Sequence, residues 1–178
     1  WRYLNPAVVP PRLPVPHFNV VNGGAHAANA LDFQEFMIAP VGAPSLPEAI
    51  RAGAEIYRVL RELLAARHLS LGLGDEGGFA PEVDWPEEVL SLLVRAIEAA
   101  GYAPGRDSIA IALDPAASEF YRDGRYHVGA DALTTQELID RYAGMLERFP
   151  IRSIEDGLAE SDTAGWKSLT AQLGDRVQ

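Results

Sequence analysis

The chain of 178 residues is 48% hydrophobic, carries a formal charge of −10 and contains no cysteine. That content supports one packed domain and excludes disulfides, thiolate zinc sites and cysteine nucleophiles. The acidic balance would repel a nucleic acid, and no segment approaches the roughly 20 apolar residues that a membrane span requires.

The first stretch, Trp1 to Pro16, is interrupted by Pro6, Pro10, Pro11, Pro14 and Pro16. Proline removes backbone donors and blocks helix propagation, so this stretch cannot be a signal-peptide helix. Residues 1–13 read as a linker from a preceding domain, and 14–178 as the first part of a larger one; a start on Trp rather than Met is expected of a chain cut from something longer. A strand is predicted near Phe18–Val21 and a second over Glu35–Ala39, with a Gly23-Gly24 turn between them. Ser45 and Glu48 form a capping-box pattern for a helix whose apolar stripe is Ile50, Tyr57, Leu60 and Leu64. The glycine-rich loop Gly72 to Pro81 follows. Asp84 and Glu87 repeat the capping pattern ahead of a stripe of Val89, Leu92, Leu93, Ala96 and Ile97 that ends at Gly101.

Beyond Gly101 the pattern alternates. Ile109–Leu113 is an apolar strand, Thr134 to Phe149 a helix with Thr134 and Glu137 at its start, Ile151–Ile154 a short strand, and Asp162 to Leu173 a helix closed by Gly174. Val177 and Gln178 begin a further strand. Strands alternating with helices predict a parallel sheet covered by helices. The order strand, strand, helix, helix, then strand–helix twice supplies about half of a barrel.

Several residues have types and positions suited to chemistry. Asp114 and Glu155 each directly follow a short apolar strand, at the rim where barrel active sites are built. Either they cap the turns that follow, or they converge on a cation, for which hard oxygen donors favour Mg²⁺. Asp156 is an alternative ligand, on the opposite side by strand alternation. In Gly74-Asp75-Glu76-Gly77-Gly78 the glycines free the carboxylates to point into a cavity, where an acid could protonate a leaving group; a solvated acidic loop is the competing reading. His26 follows the Asn22-Gly23-Gly24 turn, where an imidazole is either structural or a donor to a substrate oxygen. Gln34 and Glu35 are polar at the head of a strand that should be apolar, and such local mismatches concentrate at functional sites. There is no Walker-type loop, G-x-S-x-G, HExxH or dinucleotide fingerprint.

Five runs in order, LPVPHFNVVNGGAHA (Leu13–Ala27), DFQEFMIAPVGA (Asp32–Ala43), GDEGGFAP (Gly74–Pro81), ALDPAASEFY (Ala112–Tyr121) and SIEDGLAE (Ser153–Glu160), resemble enolase along essentially the whole chain. The last run is bacterial-like. The resemblance implies an α/β fold: a partial (β/α)8 TIM-type barrel with the ββαα opening of that family, truncated about halfway. It implies a Mg²⁺-dependent, cytoplasmic lyase of glycolysis that converts 2-phosphoglycerate to phosphoenolpyruvate, and a homo-oligomeric parent. By the same resemblance Glu76 matches the general acid and Glu35 a second glutamate near the departing hydroxyl. His26 and Gln34 match substrate contacts, and Asp114 and Glu155 match two of three Mg²⁺ carboxylates. The family's base lysine, third metal carboxylate and phosphate-binding residues fall beyond Gln178.

Lys167, the sole lysine, sits on the last helix, which should lie outside the barrel and so offers no base. Ala25 and Ala28 stand where the family often has polar residues. The chain alone is therefore expected to be inactive, and open strand edges predict poor folding or self-association. The alternatives are a catalytically silent barrel piece serving as a binding or structural protein, and another enzyme of the wider superfamily.

Overall fold

A computed structural model describes residues 13–178, so nearly all of the linker predicted over 1–13 lies outside the described residues. Strand β1 (Phe18–Asn22) leads through a 3-10 turn (Gly24–His26) to β2 (Glu35–Pro40), and helices α1 (Leu46–Ala66) and α2 (Pro86–Ala99) follow. Then come β3 (Ile109–Asp114), three short strands β4 (Tyr121–Arg122), β5 (Arg125–Val128) and β6 (Asp131–Leu133), helix α3 (Thr135–Arg148), β7 (Ile151–Ile154) and α4 (Thr163–Leu173). The main sheet has the order β1-β2-β3-β7, and β4-β5-β6 form a separate three-stranded sheet. Among the described residues the main sheet is open, a partial barrel with the expected ββαα start. Backbone bonds from Gln178 N–H to Arg152 and from Ile154 N–H to Gln178 extend it beyond β7, as the expected further strand requires.

The sheet is mixed rather than parallel. β1 pairs antiparallel with β2 and β2 antiparallel with β3; only β3 and β7 are parallel. The connections explain the correction. A single crossover helix returns the chain to the start of the sheet and gives a parallel neighbour. Two successive helices bring it back to the end where β2 stopped, so β3 must run the other way. β1, β3 and β7 therefore finish at the rim where β2 begins.

Helix α1 begins where Ser45 Oγ accepts from the Glu48 N–H, but Glu48 itself turns to Arg51, so only half of the predicted capping box forms. The buried face of α1 is Ala49, Ala52, Ile56, Val59, Leu60 and Leu64; Ile50, predicted as part of the stripe, is 50% exposed. Gly53 is buried on that face, and a Cβ there would lie 2.8 Å from the Phe18 ring. A helical glycine costs about 1 kcal/mol against alanine. Here it lets α1 settle on β1.

Helix α2 buries the predicted stripe and Leu90, but its N-cap is Trp85, without a side-chain cap, rather than Asp84. Pro86 occupies the first turn, and Glu87 is drawn away by Arg141, which donates to both of its oxygens at 2.9 and 2.8 Å. The Thr134–Glu137 box on α3 is complete, and Asp162 caps α4 through the Gly165 N–H. The buried faces of the helices join the sheet in one apolar core.

The β4–β6 sheet, unpredicted, turns first at Asp123-Gly124, where φ is 53° and 74°. Its buried Tyr126 donates to Asp162 and accepts from the Ala159 N–H, tying the small sheet to the start of α4.

Candidate active site

The rim shared by the ends of β1, β3 and β7 and the start of β2 gathers the polar residues that the sequence singles out. Register places Asn22 opposite Glu35 and Glu35 opposite Asp114. The Glu155 N–H donates to the Leu113 carbonyl at 2.8 Å, which sets Glu155 beside Asp114 just past the end of β7. Four chain segments thus deliver side chains to one edge, and three of those side chains are carboxylates.

The acidic loop supplies a fourth. Phe79 bonds with Val20 and Asn22 in a short parallel bridge beside β1, and the Asp75 N–H donates to the His26 carbonyl. From the helix layer, Tyr57 donates its hydroxyl to the Gly77 carbonyl at 2.7 Å while its ring stacks on Phe79. Gly78 is needed for this fit: a Cβ would come within 2.5 Å of Asn22 Oδ1 and 3.0 Å of the Val21 nitrogen. The loop is therefore pinned at its backbone, although Glu76 and Asp75 are exposed.

Glu76 and Glu35 share a side-chain hydrogen bond. Burial, that bond and the negative charges of Glu76, Asp114 and Glu155 push Glu35 up to about 8. Glu76 moves the other way, held below the usual carboxylate range by the bond from Glu35, by one from Asn19, and by His26. Glu35 therefore holds a proton more tightly than an ordinary glutamate, and Glu76 less tightly. His26, from the 3-10 turn, places Nδ1 3.8 Å from Glu35 Oε1 and 3.8 Å from Glu76 Oε1, and this buried nitrogen has no hydrogen-bond partner among the described residues. Gln34 lies just before β2, its carbonyl accepting from the Gly23 N–H.

Two groupings could hold a cation. His26, Glu35 and Glu76 offer atoms within 4.8 Å of one another. An ion there would compete with the hydrogen bond between the two glutamates. Asp114 and Glu155 form the second, an all-oxygen donor set of the kind that Mg²⁺ favours. Asp114 is raised by burial, offset by a hydrogen bond from the Ala116 N–H, and raised further by the charges of Glu155 and Asp156. A divalent cation between them would relieve that repulsion, so the donor set fits Mg²⁺. Both readings of Asp114 coexist: Oδ1 accepts from Ala116 at 2.9 Å, capping the turn, while the residue remains at the acidic rim. Asp156 has φ 44° and its carbonyl accepts from Ala117, so its backbone turns away from strand geometry.

Asn19 was missed by the sequence reading. Its Nδ2 donates to Glu76 Oε2 at 3.0 Å. The available signal was the one that marks Gln34 and Glu35, a polar side chain inside an apolar strand. Lys167 is exposed on α4, consistent with its exclusion as a base at the rim.

The geometry agrees with a comparison against protein families, which matches residues 11–178 to the family described as enolase, C-terminal TIM barrel domain. With the partial barrel and the acidic rim both in place, the chain belongs to the enolase family and falls among the lyases of that superfamily.

Proposed function

We propose that this domain belongs to a Mg²⁺-dependent hydro-lyase that dehydrates 2-phospho-D-glycerate to phosphoenolpyruvate, reversibly, as a cytoplasmic step of glycolysis. The observation that carries the reading is the juxtaposition, on one rim, of the hydrogen-bonded Glu35–Glu76 pair with the Asp114 and Glu155 carboxylates. The two halves suit the two halves of such a reaction.

Removing the C2 proton builds negative charge on a substrate that already carries a carboxylate. Asp114 and Glu155 would hold Mg²⁺, which when bound supplies the positive charge that stabilises this build-up. Hydroxide is a poor leaving group, so the second half needs an acid. The C2 electron pair forms the new double bond, the C3–O bond breaks, and the departing oxygen takes a proton from the glutamate pair and leaves as water. Glu76, the more exposed of the two, would deliver that proton, and Glu35 would resupply it through their hydrogen bond. His26 and Gln34 would contact the substrate. The family resemblance matches no residue of 1–178 to the base or to the phosphate-binding groups, so the reading assigns this domain the acid and metal halves of the reaction.

No helix among the described residues is long and apolar enough to cross a membrane. The test is direct: the full-length protein is mixed with 2-phosphoglycerate and Mg²⁺, and phosphoenolpyruvate is followed by its ultraviolet absorbance. Turnover that chelator abolishes and Mg²⁺ restores is expected. A full-length protein inert with this substrate but active on another carboxylate that loses a hydroxyl from C3 would overturn the assignment.

A further inference from the structure

Asn19 stands inside β1, where neighbouring Val20 and Val21 are buried. Its Nδ2 donates to Glu76 Oε2 at 3.0 Å. The other oxygen of Glu76, Oε1, is the one that approaches His26, at 3.8 Å. The two carboxylate oxygens therefore have separate surroundings, one against β1 and one toward His26.

The strand is shaped for this contact. Its register passes from Asn19 opposite Met37 to Val21 opposite Phe36, so one extra residue is accommodated between them. Such a bulge bends the strand locally and re-aims a side chain. On its far side Asn19 is backed by the acidic loop itself, since a Cβ on Gly78 would sit 3.1 Å from Asn19 Oδ1.

We propose that Asn19 is a positioning residue for the acid step, clamping Oε2 of Glu76 so that Oε1 is presented to the substrate hydroxyl. The proposal rests on the lyase reading above. Glu35 is the other anchor of Glu76, yet the Glu76 side chain is 46% exposed, and a glutamate with three rotatable bonds swings readily into solvent when one of its oxygens is left unheld. A donor aimed at a carboxylate makes a charge-assisted hydrogen bond, which is both stronger and more directional than a neutral one. It acts on Glu76 alone, leaving proton abstraction at C2 to other groups.

That separation gives the test. Asn19→Leu, of similar size without the donor, and Asn19→Asp, of the same shape with an acceptor in place of the donor, are made in the full-length protein. For each, kcat and KM are measured with 2-phosphoglycerate, together with exchange of the C2 hydrogen in deuterated water. The expected result is a fall in kcat of about 10- to 100-fold with KM little changed. C2 exchange should continue near the wild-type rate, and Asn19→Asp should be the slower of the two. If Asn19→Leu does not fold, Asn19→Asp decides alone, since its shape is retained. Wild-type kcat in the folded variants would overturn the clamp, as would loss of C2 exchange in parallel with dehydration. A wild-type protein that never dehydrates 2-phosphoglycerate would instead overturn the lyase reading beneath it.

Discussion

Glu35 and Asp114 are register partners across β2 and β3, one opening its strand and the other closing its own. Only antiparallel pairing permits this. In an all-parallel barrel every rim residue of the site would sit at a strand end; here the two-helix return lets a strand begin at the rim. The pairing sets two partly buried carboxyl groups on one rim, and both are shifted upward, chiefly by burial, with the charge of Asp114 adding to the shift of Glu35 and that of Glu155 to the shift of Asp114.

The shift on Glu35 predicts a pH dependence of stability. The folded protein binds this proton more tightly than an unfolded chain does, with a value of about 8 against 4.5. Below both values the group costs nothing; as pH rises from 4.5 through about 8 the unfolded state loses its proton first, and folding stability falls. The downward shift of Glu76 acts below its ordinary value of 4.5, where it makes stability rise with pH, and adds no slope across this window. In chelator-treated full-length protein, the denaturant midpoint should decline across that window, and Glu35→Gln should flatten the decline. Identical slopes for the two proteins would contradict the assignment of the proton to Glu35.

Glu76→Gln should remove the acid while preserving shape. Turnover of 2-phosphoglycerate should drop by about 10²- to 10⁴-fold, the usual contribution of a positioned acid. Calorimetric titration with Mg²⁺ should be unchanged, because the Asp114–Glu155 side of the rim is untouched. Rates close to wild type would remove Glu76 from the mechanism.

Asp114→Asn tests the metal half. It keeps an oxygen to accept from the Ala116 N–H, so the turn after β3 is retained. Mg²⁺ affinity should nevertheless weaken by at least about tenfold with loss of the charge. The rise in melting temperature that saturating Mg²⁺ gives the wild type should shrink accordingly. An undiminished Mg²⁺ response would show that the ion is held elsewhere.

Two glycines of the acidic loop should behave differently. Gly77 has φ +84° with open space around its missing Cβ, so Gly77→Ala costs backbone strain of about 1 kcal/mol. At Gly78 a methyl would meet Asn22 Oδ1 at 2.5 Å and Asn19 Oδ1 at 3.1 Å. Gly78→Ala should cost about 1–3 kcal/mol through overpacking and should lower kcat as well, because it pushes on the side chain that holds Glu76. Equal effects on kcat and stability at both positions would argue against a tightly seated loop.

Local signals in the sequence were read correctly where nothing distant competed with them. The Thr134–Glu137 box formed as predicted, since both partners sit on one exposed helix start. The matching Asp84–Glu87 pattern did not, because Arg141, 54 residues away, recruited Glu87. Ile50 has helical spacing but falls just outside the face that α1 turns to the sheet. The hairpin from Tyr121 to Leu133 was legible in principle: Asp123-Gly124 is the pair that a tight hairpin turn prefers, but the flanking strands are too short and polar to show a strong alternation. Strand direction was missed for a topological reason, since apolar runs carry no arrow. At the site, sequence identified His26, Gln34, Glu35, Glu76, Asp114 and Glu155 as candidates. Asn19 was not among them, because its meaning comes from a bulge and from a loop 57 residues further on.

The reversed run of β2 also separates engineering tolerance from chemistry. Its last residue, Pro40, pairs with Ile109 at the entry to β3, and Gly42 bonds to Ser108 just beyond, so the turns over 41–45 and 103–108 meet at the floor of the domain. Peptide tags or grafted loops placed there would be a full strand length from Glu35 and Asp114. The same insertions between β1 and β2, or within 72–81, would land on the working edge.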